Sequence, residues 1–224
     1  MKNLINGVIN FRQKSRAGYC DKFSKLVAGQ SPTALFITCC DSRVVPSVFT
    51  ATDPGELFVL RNIGNLVPPY QGEHQHNTDN SVAAAIEFSI FALKVSDIIV
   101  CGHSECGAMS AVCKGQSSSD NESLKTWLKY VDPAYEKFQQ GFLADSSLTQ
   151  HNRLSQVNVA QQLDHLQTYP CVAERLQAGT LKIHGWWFDL ETANTYHYDS
   201  KTETFVLIDE KEAAKVLVSI GKRE

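Results

Sequence analysis

Apolar positions along this chain follow helical spacing in some stretches and run without a break in others. Between residues 2 and 28, Leu4, Ile5, Val8, Ile9 and Phe11 fall on one helical stripe, with Leu26 and Val27 shortly before Gly29. That pattern predicts an amphipathic N-terminal helix in one or two pieces. A helix in that place either packs on the core, the plainer reading, or covers a partner subunit. After the turn signal GQSP, residues 33–39 (TALFITC) form a continuous apolar run suited to a buried parallel strand. Residues 57–60 (LFVL), after the DPGE turn, and residues 97–101 (DIIVC), ending at Gly102, predict two more strands. Residues 67–80 read as a polar loop rich in Pro and His, in which HQH at 74–76 is solvated. Ser81 is placed to cap a helix reaching Leu93 that is apolar almost all round, hence a core helix.

From Gly107 to Val112 the pattern is helical, and GQSSSDNES at 115–123 predicts a surface linker. Amphipathic helices are expected around 124–130 and 154–166, and Pro170 opens another that stops at Gly179. Residues 181–190 (LKIHGWWFDL) predict two strand pieces turning at Gly185, with Trp186 and Trp187 as one core ring and one ring at a helix or interface. Residues 205–208 read as a last strand before a C-terminal helix. Strands alternate with helices, without repeats or a long internal linker. The expected fold is a single α/β domain with a mostly parallel central β-sheet flanked by helices. Residues 1–28 would form an N-terminal helical arm and residues 29–224 the α/β core.

Hydrophobic residues make up 43% and charged residues 20%, the balance of an ordinary globular domain. Lys and Arg total 21 against 24 Asp and Glu, a net charge of −3, which gives no general attraction for nucleic acid or an anionic membrane. The longest strongly apolar stretch, Val82 to Leu93, is too short to span a bilayer and contains Glu87. The opening segment MKNLINGVINFRQKS lacks the apolar run and cleavage site of a secretory signal. A soluble, cytoplasmic protein acting on a small molecule is expected. The seven cysteines are odd in number, and Cys20, Cys113 and Cys171 are scattered, so a disulfide framework fits poorly.

Two clusters remain, ITCCDSRV at 37–44 and VCGHSECGAM at 100–109. Each follows a predicted parallel strand, where open α/β sheets place their ligands. Thiolate and imidazole together form a soft donor set that suits zinc. His103 and Cys106 have the spacing at which two side chains on one turn converge on an ion, and Cys39 would add a third donor from the neighbouring strand end. Three protein ligands leave a tetrahedral position open, as in a catalytic site. A fourth from Cys40, Cys101 or Asp41 would close it. Strand alternation turns Cys40 and Cys101 away. Asp41 and Arg43 stand beside the first thiol, and a guanidinium keeps a neighbouring carboxylate ionised. The bland alternative is a capping turn with a surface ion pair.

At these residues the sequence resembles the β-class carbonic anhydrases, in the plant-like branch that includes many bacterial enzymes. Cys39-Cys40-Asp41-Ser42-Arg43 matches Cys-x-Asp-x-Arg, and His103-Ser104-Glu105-Cys106 matches His-x-x-Cys. GQSP at 29–32, PGELFVLRNIGNLVPPY at 54–70, AAAIEF at 83–88, LKVSDIIVCGH at 93–103 and HGWWFD at 184–189 continue the likeness in order. The resemblance implies one Zn2+ per chain held by Cys39, His103 and Cys106. It implies reversible hydration of CO2 to bicarbonate and a proton, through a zinc-bound hydroxide oriented by the Asp41–Arg43 dyad. Gln30 matches a glutamine that donates to bound substrate, Phe58 and Ile63 match pocket-lining residues, and Gly107 matches a position whose backbone lies close to the ligand. Phe88 stands where this branch usually has a tyrosine, so a hydroxyl at the pocket edge is absent. Phe36 replaces a tryptophan that walls an effector site in the bicarbonate-inhibited branch, implying that this chain lacks that site. The family pocket forms between subunits, so Gln30 and Phe58 would serve the neighbour's zinc, in a dimer, tetramer or larger assembly. Two other functions compete: hydrolysis of a CO2 analogue such as carbonyl sulfide or carbon disulfide, and a catalytically inactive zinc-stabilised structural protein.

Overall fold

The long apolar runs become the inner strands of a mixed sheet. In the computed structural model, which describes residues 1–72, 80–115, 121–143, 145 and 147–221, six strands make up that sheet. They are β1 (Ala34–Cys39), β2 (Leu57–Asn62), β3 (Asp97–His103), β4 (Lys182–Phe188), β5 (Thr195–Asp199) and β6 (Thr204–Leu207), in the order β2-β1-β3-β4-β5-β6. The first four run parallel, and β4, β5 and β6 pair antiparallel. β1 is buried throughout and β3 from its second residue onward, as strands covered on both faces must be. The β1–β3 register sets Thr38 against Cys101, so Cys39 and His103 leave the sheet at neighbouring strand ends.

One face of the sheet packs Leu35, Ile37, Ile98 and Val100 against Val82, Ile86 and Ile90 of α4 (Asn80–Phe91). The same cluster takes in Leu166 of α8 (Gln150–Gln167) and Val172 of α9 (Pro170–Gln177). On the other face Phe36, Ile99 and Phe188 meet Phe49 of α3 (Pro46–Phe49), whose ring stacks on Phe188 at 4.4 Å. A third cluster gathers Cys39 and Cys106 with Leu66, Met109 of α5 (Gly107–Cys113), Leu128 of α6 (Glu122–Leu128) and Ala134 of α7 (Asp132–Gln139). Two thiols of the predicted metal site therefore sit in apolar packing.

Several expectations are corrected. Residues 181–190 do not turn at Gly185: β4 is continuous, and the glycine is there for a close approach by α8. A Cβ at that position would stand 2.9 Å from Cγ1 of Val159 and 3.1 Å from Cδ1 of Leu163. Trp187 is buried, while Trp186 lies at a half-buried position beside Phe36. β5 was not foreseen, because its alternating polar and aromatic residues TYHYD lack an apolar run. Ser81 lies inside α4 rather than capping it, and α4 leaves Phe88 and Phe91 exposed, so it is a core helix on one side only. The HQH stretch at 74–76 lies outside the described residues.

The N-terminal segment is helical as expected: α1 (Lys2–Asn10), a π-helical segment Phe11–Ser15 and α2 (Arg16–Leu26) follow one another without a gap. The core-packing expectation fails, since neither helix buries a residue and Leu4 and Val8 remain 71% and 66% exposed. The arm is tied down at its far end, where Lys22 donates to both Asp53 oxygens at 2.6 Å. An amphipathic helix, α10 (Glu210–Gly221), follows β6. Among the described residues no helix is long and apolar enough to cross a membrane.

Candidate metal centre

The ends of β1 and β3 and the start of α5 bring Cys39, His103 and Cys106 together, with their donor atoms all within 4.8 Å of one another and all three side chains buried. His103 Nδ1 lies 2.8 Å from the Ser104 carbonyl oxygen, which can only accept, so this nitrogen carries the proton. Nε2 is thereby left with its lone pair, buried and without a hydrogen-bond partner. A buried imidazole nitrogen in that state marks a place for a cation. The Gly64 amide approaches Cys39 Sγ at 3.4 Å from a backbone with φ +79°, where a Cβ would press on Ala108 and Met109. Sharing a proton with Cys106 holds the Cys39 thiol below its ordinary range, while the same sharing and burial push Cys106 well up. A divalent ion held by these residues would take the place of that shared proton. The residues fit zinc in donor type, burial and mutual distance.

The candidates for a fourth ligand separate cleanly. Cys40 is exposed, and Cys101 packs with Phe36 and Ile99 in a different cluster, where burial pushes its thiol far up. Asp41 is nearer, with Oδ2 4.0 Å from His103 Nε2. It is already engaged, however: Arg43 Nε and backbone N–H donate to Oδ1 at 2.9 and 3.0 Å, and Arg43 Nη2 donates to Oδ2 at 2.7 Å. The Arg43 side chain holds Asp41 well below the usual carboxylate range, with the Arg43 amide adding to the effect. The arrangement is three soft donors and one ionised carboxylate at their edge.

Sequence reasoning missed the residues that hold this site in place. Arg61 donates to the carbonyl oxygens of Cys39, Asp41 and Val44 at 2.7–3.1 Å, fixing the chain just beyond β1. A row of polar side chains on α8 reads the backbone of the site loops. Ser155 Oγ donates to His103 O at 2.8 Å, Asn158 Nδ2 to Gly64 O at 3.1 Å, and the Val67 N–H donates to Gln162 Oε1 at 2.8 Å. Asn152 accepts from the Glu105 N–H at 2.7 Å. The available signal was spacing: polar residues at 152, 155, 158, 162 and 165 recur on one helical face.

Comparison with known proteins is consistent with this geometry. The family model described as carbonic anhydrase matches residues 34–195, which include both ligand-bearing strand ends. A carbonic anhydrase of Pseudomonas aeruginosa is 37% identical over 94% of this chain and 93% of its own length. The solved β-carbonic anhydrase CcaA superposes with a TM-score of 0.85 at 35% identity, over 94% of this chain and 92% of its own. The chain belongs to the β-carbonic anhydrases. A structure of tetrameric β-carbonic anhydrases from Sordaria macrospora aligns with a TM-score of 0.70 at 29% identity, over 87% of this chain and 96% of that one. In this β-carbonic anhydrase the expected pocket residues lie on separate elements. Gln30 is exposed in the turn before β1, and among the described residues no hydrogen bond joins it to the triad. Phe58 is half-buried, its ring centroid 5.8 Å from that of Phe88, which is 47% exposed. Ile63 is 44% exposed, and Gly107 opens α5 immediately after Cys106.

Proposed function

We propose that this chain catalyses the zinc-dependent, reversible hydration of carbon dioxide to bicarbonate and a proton. The observation that carries the reading is the buried Cys39–His103–Cys106 trio with an arginine-held carboxylate at its edge. Those three side chains would hold one Zn2+. When bound, zinc supplies Lewis acidity and brings the pKa of water toward neutrality. Asp41, kept anionic by Arg43, serves as a hydrogen-bond acceptor rather than a proton donor. It takes an O–H from the attacking water and so turns a lone pair toward the substrate carbon. Phe58, Ile63 and Phe88 form the apolar wall that suits a small nonpolar substrate, and Phe88 gives that wall no hydroxyl. The Gln30 amide donates to a bicarbonate oxygen, and the Gly107 backbone borders the same space.

Assembly belongs to the same proposal. Among the described residues nothing covers the apolar stripe of the arm, residues 1–28, which stands apart from an α/β core of residues 29–224. A second copy would cover it and bring its Gln30 and Phe58 toward the first copy's metal site, making a dimer the smallest active unit. Seven unpaired cysteines suit the reducing cytoplasm.

The test is zinc content and CO2 hydration on one sample. Wild type should carry about one zinc per chain. Cys39→Ser should lose both the metal and turnover. Asp41→Asn should keep the zinc and lose roughly 100-fold or more in kcat, the usual cost of removing a positioned charged partner from the reacting atoms. Wild-type hydration by Cys39→Ser would refute the ligand set, and zinc-loaded wild type without hydration would refute the activity.

A further inference from the structure

The loop between His103 and Cys106 contains a backbone conformation that side chains seldom adopt. Glu105 lies at φ +56°, in the left-handed region, where a Cβ crowds the neighbouring carbonyl. Its neighbours on α8 hold it there. The Glu105 N–H donates to Asn152 Oδ1 at 2.7 Å, and Asn152 Nδ2 donates back to Glu105 Oε1 at 3.1 Å. The other carboxylate oxygen lies 3.0 Å from Nε2 of His151. Asn152 is only 8% exposed, so its amide has few alternative partners. With its N–H committed to α8, the Glu105 residue offers its carbonyl to the other side. That oxygen accepts from Arg43 Nη2 at 3.0 Å. The same nitrogen donates to Asp41 Oδ2 at 2.7 Å, using its second proton. One strained residue thus joins a buried amide on α8 to the carboxylate at the edge of the metal centre.

We propose that Asn152 is a positioning residue for catalysis: by holding Glu105 left-handed it aims the Glu105 carbonyl at Arg43 and fixes the Asp41 carboxylate. The proposal rests on the CO2-hydration reading for its kinetic consequence, but not for its geometry. If Glu105 relaxed to a right-handed backbone, its carbonyl would swing off Arg43. The guanidinium would then lose the anchor that ties it to the His103–Cys106 loop, and with it the fixed geometry of its hydrogen bonds to Asp41. His151 is a second, partly exposed tether on the same carboxylate. A purely structural role for Asn152 would instead be local stabilisation of α8 and the loop, without a specific effect on Arg43.

The experiment uses the full-length, zinc-loaded protein, with two readouts. One is kcat/KM for CO2 hydration. The other is the Arg43 Nε–H resonance in a nitrogen-15 spectrum, which survives exchange with water only while that proton is held by Asp41. Asn152→Ala should retain zinc, lose about tenfold or more in kcat/KM, and lose the Arg43 resonance. Adding Glu105→Gly should restore much of both, because glycine adopts the left-handed conformation without help. With α8 untouched, Glu105→Val, whose branched side chain opposes positive φ, should fall well below Glu105→Gly on both readouts. Asn152→Ala within twofold of wild type, or a double variant no better than the single, overturns the proposal. So does equality of the valine and glycine variants, a comparison that stands even if Asn152→Ala does not fold. If the wild type lacks hydration while the resonance follows the expected pattern, the functional reading fails and the positioning role stands.

Discussion

Replacing Asn158 by leucine tests the layer beneath the metal ligands. Asn158 is fully buried, donates to Gly64 O at 3.1 Å and accepts from Gln162 Nε2 at 2.9 Å. Leucine is similar in volume but strands both partners, a buried carbonyl and a buried amide N–H. Each orphaned group costs about 1–3 kcal/mol, so the pair costs about 4 kcal/mol. The added apolar burial returns about 1–2 kcal/mol, and misfit of the branched side chain removes a similar amount. A net loss of about 4 kcal/mol is large against the roughly 5–15 kcal/mol that keeps a domain folded. It should appear in urea unfolding followed by tryptophan fluorescence, at fixed protomer concentration and buffered free zinc. Gly64 also presents its N–H to Cys39 Sγ, so zinc affinity should fall about 10- to 100-fold in a chelator competition. A loss below about 1 kcal/mol with an unchanged slope would show that Gly64 finds another partner, and the supporting role assigned to α8 would be wrong.

The other expectations are simpler. Gly185→Ala would put a Cβ 2.9 Å from Val159 and 3.1 Å from both Leu163 and Tyr198, so it should cost about 1–3 kcal/mol in thermal or urea unfolding. A neutral result would mean that α8 can retreat from the sheet. Asp97, bonded to His184 at 2.8 Å, is held below its ordinary pKa chiefly by that bond, so its contribution is present above the unfolded carboxylate range and is lost as pH falls through the folded value. The stability advantage of wild type over Asp97→Asn should therefore shrink as pH falls below about 5; an advantage that grows over that acid range contradicts the assignment. Leu4→Asp combined with Val8→Asp should shift the protein toward monomer in sedimentation velocity, and an unaltered assembly would free the arm from any role in association.

The Cys39–His103–Cys106 cluster was legible because thiols and an imidazole at the ends of apolar runs are the donor types that suit a soft cation. Cys39 and His103 close strands that had to be buried, and Cys106 follows one turn later. Their support was not legible, because the same residue types mean different things on a half-buried and on a buried helix. Gln, Asn and Ser on α8 look like a solvated face in a linear pattern, yet α8 lies between the sheet and α7, and its polar face meets backbone instead of water. Gly185 signals equally a turn or a close approach, and only the position of Val159 decides between them. Arg61 reads as a strand-end cation, and the three carbonyls it gathers come from a different segment. The arm's stripe is visible at sequence level, but which surface it covers depends on geometry beyond one chain.

The Asp41–Arg43 pair also bears on how many side chains reach the centre. With a divalent ion bound, the two thiols would supply two anionic donors in apolar packing, and a carboxylate among them would add a third negative charge. Both Asp41 oxygens are taken by Arg43, whose guanidinium is anchored in turn on the Glu105 carbonyl between two of the three ligands. For Asp41 to turn onto a cation, Arg43 must release charge-assisted hydrogen bonds that are among the stronger ones a surface loop can make. Arg43 is itself exposed, at 53% for its side chain. With a cation bound, guanidinium and cation would compete for this one carboxylate. Weakening the hold on Arg43 would tilt that competition toward the cation, so the tether proposed from α8 would bear on the site as well as on the fold.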